Sequence, residues 1–214
     1  MELPFDAWYK RAQFLQTSKK DQTKQEHWYF RLNGLEDSKN NYLYDELPIF
    51  KTDHSTFFMI DPSDARGINC RLGMKGVIAE CHFDPSRNWI VVMGGQRRYI
   101  ISHPRQCPNL ELYPRYHPSG RHSRVNWSTA SRETLQNTSF VAADAMTENG
   151  GRPFLQAMGS EVLMQAGDAL YLPDSWMHFI VSLGISYQCN ARSGQTTHYR
   201  REIHNCGFPI GDVE

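Results

Sequence analysis

The chain carries no net charge, because 23 lysines and arginines balance 23 aspartates and glutamates. Bulk electrostatics therefore give it no reason to bind nucleic acid or a membrane surface. It has no apolar run of membrane-spanning length, and its opening Met1-Glu2-Leu3-Pro4-Phe5-Asp6 lacks the basic-then-apolar order of a signal peptide. A soluble, intracellular protein is expected. Cysteine is scarce: there are five, an odd number, and none at C-x-x-C spacing. That argues against both a disulfide framework and a zinc ribbon, so free thiols are expected. Internal repeats and low-complexity tracts are absent.

What is present fits one large domain of 214 residues. From Pro4 to Leu35 the spacing is helix-like, with Trp8, Ala12 and Leu15 on one stripe and a lysine-rich polar stretch from Ser18 to Glu26. Residues 1–55 read as an N-terminal helical cap, part of the same unit as residues 56–214. Beyond Thr56, short apolar strands are broken by glycine, proline and asparagine, the pattern of an antiparallel sandwich or barrel.

Trp89 to Ser102 is the clearest hairpin. A two-residue Gly94-Gly95 turn would pair Val92 with Arg97 and place Asn88, Ile90, Val92, Arg97, Tyr99 and Ile101 on one face. A charged arginine on such a face needs an anion, because an unpaired buried charge is costly, and a bound carboxylate would serve. A second turn lies at Leu183-Gly184-Ile185. A three-residue loop with positive φ at Gly184 would pair His178 with Asn190 on one side, and a two-residue loop would turn Asn190 outward. Between the turns, Pro104 to Gly159 is polar and rich in proline and glycine, a long excursion over the barrel mouth of the kind that carries specificity.

The chemistry is concentrated in His82-Phe83-Asp84 and the distant His178. In a strand the side chains of residues 82 and 84 point the same way, and His178 opens a second apolar run. Two imidazoles and one carboxylate can hold a divalent iron on one face and leave positions open for substrates. The bland alternative for His82 and Asp84 is a strand-end salt bridge; for Arg97, a structural ion pair; for Asn88 and Asn190, turn residues. His117 and His122 read as exposed loop, Cys81 as core facing away from His82, and the arginines from Arg97 to Arg124 as solvated turn residues.

The runs Gly76 to Ser102 and Gly167-Asp168-Ala169-Leu170-Tyr171-Leu172-Pro173 through His178 resemble the JmjC, or cupin-8, group of oxygenases, and in particular its small asparaginyl-hydroxylase branch. The resemblance covers roughly residues 70 to 192 and includes Leu112-Tyr113-Pro114 and Ser123-Arg124-Val125-Asn126. It implies a mainly β fold, a double-stranded β-helix or jelly roll preceded by helices. It also implies Fe(II) and 2-oxoglutarate as cofactor and cosubstrate, with hydroxylation of a protein or peptide side chain as the reaction. By position, His82, Asp84 and His178 would be the iron ligands. Arg97 would pair with the far carboxylate of 2-oxoglutarate, and Asn88, Asn190 and Tyr29 would line the same pocket. Two departures stand out: Arg97 replaces a usual lysine, and Ala79 replaces a threonine that touches the cosubstrate. They leave two other readings open, a JmjC-like binding module without turnover and a cupin metalloenzyme that uses no 2-oxoglutarate.

Overall fold

The computed structural model describes residues 4–18, 26–35, 42–51, 57–124, 127 and 157–208. Helix α1 (Phe5–Thr17) starts where Pro4 accepts from the Trp8 amide, and Asp6 sits favourably in its first turn. The predicted stripe of Trp8, Ala12 and Leu15 is its buried face, packed with Met74. The remainder of the N-terminal stretch is less helical than expected. Tyr29–Gly34 is a strand, β1, antiparallel to β2 (Ala65–Gly73), and the short helix α2 (Tyr42–Glu46) follows it. The helix-like spacing of α1 does not continue into Tyr29 and Phe30, aromatic residues that pair better on a pleat. Most of the lysine-rich stretch lies outside the described residues.

Seven further strands follow: β3 (Ile78–Phe83), β4 (Asn88–Gly94), β5 (Gln96–Ser102), β6 (Ser160–Gln165), β7 (Ala169–Leu172), β8 (Met177–Ser182) and β9 (Ser186–Ser193), then helix α3 (Arg200–His204). They form two antiparallel sheets, one in the order β1-β2-β9-β4-β7 and the other β3-β8-β5-β6. Ile90, Val92 and Leu172 of the first sheet pack against Tyr99 and Met164 of the second, filling one part of the space between them. The outer face of the first sheet is covered by Leu43, Tyr44, Phe50 and Met59, and that of the second by Leu110, Trp127, Ile203 and Phe208. This is the jelly roll that was expected.

Both expected hairpins are corners instead. β4 pairs with β7 and β9, while β5 pairs with β6 and β8, so Gly94-Gly95 carries the chain from one sheet to the other. Gly95 has φ +69°, and a Cβ there would meet the Ile185 carbonyl oxygen at 2.1 Å. The face assignment survives the change of partner, because Asn88, Ile90, Val92, Arg97 and Tyr99 are all buried. Likewise β8 and β9 lie in different sheets, so His178 does not pair with Asn190, and Gly184 is not among the glycines of positive φ. A glycine-containing link of this length suits a sheet-to-sheet corner as well as a hairpin.

The expectation of free thiols is overturned at four of the five cysteines. Cys70 and Cys189 stand at directly opposed positions on β2 and β9 and form a disulfide, as do Cys107 and Cys206. The partners are 119 and 99 residues apart in sequence, and only strand register and chain return bring them together. Cys81 remains free and buried in the core, facing away from His82. Among the described residues no helix is long and apolar enough to cross a membrane.

Candidate metal centre

Strand register creates the site. On β3 and β8, His82 is the cross-strand partner of His178, and their ring centroids lie 4.3 Å apart. Asp84, two residues beyond His82, turns its carboxylate to the same side, with Oδ1 4.0 Å from His82 Nε2 and Oδ2 3.8 Å from His178 Nε2. Its backbone carbonyl accepts from the Ser175 amide, which ties the strand end to the turn before β8. One ligand atom from each of the three residues lies within 4.8 Å of the others.

The imidazoles are in the form a metal needs. His82 Nδ1 lies 2.7 Å from the Glu80 carbonyl and His178 Nδ1 3.0 Å from the Trp176 carbonyl. A carbonyl only accepts, so each Nδ1 carries the proton and each Nε2 presents its lone pair to the centre. Burial, and then His178, push the His82 pKa down to about 3, and burial lowers that of His178. Both rings are neutral at ordinary pH. Burial alone would raise the Asp84 pKa, but Arg192, His178, His82 and Arg121 outweigh it and hold the carboxyl below its usual value. Two neutral imidazoles and one carboxylate are a donor set that suits a divalent iron.

A cavity of about 220 Å³ opens from the two histidines into the space between the sheets. Every candidate from the sequence lines it except Asp84: besides the two histidines, Asn88, Arg97, Asn190 and Tyr29 all do so, as does Ala79. Asn88 and Asn190 are strand residues, not turn residues, and Asn190 Nδ2 donates to Asn88 Oδ1 at 3.0 Å. Tyr29 is half exposed at the cavity wall. Arg97 is buried; its Nε donates to Ser186 Oγ at 3.0 Å and its Nη2 to the Arg71 carbonyl at 2.8 Å. Among the described residues no carboxylate forms an ion pair with it. Gly73 makes room for this group, because a Cβ there would lie 2.4 Å from Ser182 Oγ and 3.3 Å from Arg97 Nη2.

Residues 8–197 match the family described as the Cupin-like domain. The chain belongs to that family. Among its relatives, Jumonji C domain-containing protein 5 of Drosophila melanogaster is 28% identical over 150 residues, covering 68% of this chain and 33% of that protein. Lysine-specific demethylase JMJ31 of Arabidopsis thaliana is 23% identical over 158 residues, 71% of this chain and 26% of that protein. tRNA wybutosine-synthesizing protein 5 of Gallus gallus is 23% identical over 182 residues, 84% of this chain and 50% of that protein. The chain thus spans between a quarter and a half of the length of these relatives. An X-ray structure of E. coli ycfD covers 88% of this chain and 38% of its own at TM-score 0.46 and 13% identity. As a member of this cupin-like family, the chain carries a His-Asp-His triad compatible with iron.

Three features of this cupin-like site were not foreseen. Arg192 Nη2 lies 2.6 Å from Asp84 Oδ2, a close charge contact without hydrogen-bond alignment. Arg71 also lines the cavity, and its Nη1 donates to Asn190 Oδ1 at 3.0 Å. The first part of the Pro104–Gly159 excursion folds back onto β3. The Ser123 amide donates to the Cys81 carbonyl, the Phe83 amide to the Arg121 carbonyl, and His122 stacks on His82 at 5.0 Å. His122 is therefore a packing neighbour of the centre and not loop surface. Alternation alone would have found Arg192, which lies two residues beyond Asn190 on the same strand. Residues 128–156 of the excursion lie outside the described residues.

Proposed function

We propose that this protein is an Fe(II)- and 2-oxoglutarate-dependent oxygenase that hydroxylates a protein side chain. The observation that carries the reading is a single cavity with the two neutral imidazoles and the carboxylate of His82, His178 and Asp84 at one end and the buried guanidinium of Arg97, free of any carboxylate among the described residues, at the other. The relatives named for lysine-specific demethylation, and the human bifunctional peptidase and (3S)-lysyl hydroxylase JMJD7, support a protein substrate. Because β1 pairs into the same sheet as β9, residues 1–55 and 56–214 are read as one unit.

When bound, iron would supply the oxidising chemistry and 2-oxoglutarate the two electrons, leaving as succinate and carbon dioxide. His82, Asp84 and His178 would hold the cation on one face. Arg97 would anchor the far carboxylate, and its bonds to Ser186 and the Arg71 carbonyl aim the guanidinium before a ligand arrives. Asn88 and Asn190 brace the wall between the two ends. Ile90 and Ile180 line it with apolar surface, which keeps water from the reacting centre.

One observation favours the second reading, a binding module of JmjC fold without turnover: Arg192 occupies the Asp84 carboxylate that the cation needs. The deciding experiment adds Fe(II) and 2-oxoglutarate anaerobically, then oxygen. A visible charge-transfer band followed by succinate is expected. Full metal loading with no band and no succinate would leave the module.

A further inference from the structure

Arg192 and Arg121 share Asp84, yet two more guanidinium groups line the cavity, those of Arg71 and Arg97. Under the oxygenase reading Arg97 is matched by the far carboxylate of the keto acid. Arg71 is left over. It stands directly across from Arg31 on β1, and like charges so placed repel. Every side-chain hydrogen-bond acceptor found for the two is a neutral amide, Arg31 donating to Asn33 and Asn69 and Arg71 to Asn190, while the charge of Asp84 reaches Arg71 without an ion pair. Among the described residues no carboxylate forms an ion pair with either. A half-buried cation with a second beside it is costly unless an anion arrives.

Height along β9 decides which anion. Arg71 is tied to Asn190, two residues from Arg192 at the metal end, whereas Arg97 is tied to Ser186. Asn190 and Ser186 are four residues, about 13 Å of strand, apart, so the two guanidinium groups reach towards different ends of β9. Burial, and then the charges of Arg192 and Arg31, already lower the Arg71 pKa.

We propose that Arg71 receives a carboxylate of the molecule being oxidised, so that the substrate is acidic near the attacked bond, with Arg31 drawing that group in from the sheet edge. This rests on the oxygenase reading for the word substrate, but the carboxylate site itself does not.

The test uses the full chain loaded with Mn(II), which binds without turnover. Affinities are measured for 2-oxoglutarate and then, with it saturating, for N-acetyl-aspartate amide and N-acetyl-glutamate amide, each against its neutral asparagine or glutamine analogue. The wild type is expected to prefer an acidic probe. Arg71→Gln should weaken that probe at least tenfold while moving 2-oxoglutarate less than threefold, and Arg71→Lys should recover part of the loss. Circular dichroism and Tm of each variant establish folding. If Arg71→Gln instead weakens 2-oxoglutarate tenfold, the residue serves the near end of the keto acid and the proposal falls. It falls too if neither probe discriminates, or if Arg71→Gln lowers only Tm. A wild type that ignores 2-oxoglutarate but still selects the acidic probe through Arg71 would sink the oxygenase reading and sustain this one.

Discussion

Arg192 holds the carboxylate of Asp84 from the opposite sheet, Nη2 to Oδ2 at 2.6 Å, and so sets a cation where a metal ion must also be accepted. Arg192→Met should tighten Mn(II) or Co(II) binding by about tenfold, or about 1.4 kcal/mol. The same change should destabilise the metal-free protein, because it leaves the buried carboxylate only the longer contact with Arg121. Calorimetric titration with metal and urea unfolding of the apo form read the two effects separately. Weaker metal binding in the variant would show that Arg192 orients the ligand and does not compete for it.

Asp84→Ala should abolish metal retention and succinate formation while the two sheets stay folded. Elemental analysis after dialysis checks it. A variant that keeps wild-type metal content overturns the ligand assignment.

Arg97→Leu should raise the 2-oxoglutarate requirement by at least tenfold and change metal affinity far less, since the guanidinium sits at the other end of the cavity. Arg97→Lys retains the charge but loses the fork that reaches Ser186 and the Arg71 carbonyl, and should fall between the two. Activity against 2-oxoglutarate concentration gives the answer, and an unchanged curve for Arg97→Leu removes that role.

The metal-free protein should lose stability at both ends of the pH scale for identifiable reasons. His82 titrates at about 3 in the fold and near 6.5 when unfolded, so the unfolded chain binds more protons between those values and stability falls as pH drops through that window. Tyr99, buried and donating to Gln188, is raised to about 12 from 10, so its contribution is full below pH 10 and lost as pH climbs towards 12. Urea midpoints across pH check both. His82→Asn should flatten the acid limb and Tyr99→Phe the alkaline one, and unchanged slopes would contradict the assignment.

Titration of the denatured, unreduced protein with a thiol reagent should find one thiol, that of Cys81, among five cysteines. Reduction should then lower Tm, because the two links close loops on the order of 100 residues, each worth up to about 4–5 kcal/mol in the chain-entropy account. Five thiols before reduction would refute both pairings.

The triad was legible because its information is local. His82 and Asp84 share a face by strand alternation, and the residues around His178 repeat a family pattern. The partners of β4, β5, β8 and β9 were not, since glycine turns serve a hairpin and a corner alike and only the packing of two sheets selects between them. Arg71 escaped for a different reason: on β2 the alternating Asn69, Arg71 and Gly73 look like a solvent face, and it takes the opposing sheet to make that face an interior. The Cys70–Cys189 link is not legible in the sequence, because nothing in either neighbourhood announces a register match across 119 residues.

All three metal-binding candidates belong to the β3–β8 pair and its immediate continuation, whereas Asn88, Asn190 and Arg71 ride on the facing sheet. A molecule bound between the two leaves would therefore meet the metal ligands on one of them and the amide groups of Asn88 and Asn190 and the guanidinium of Arg71 on the other.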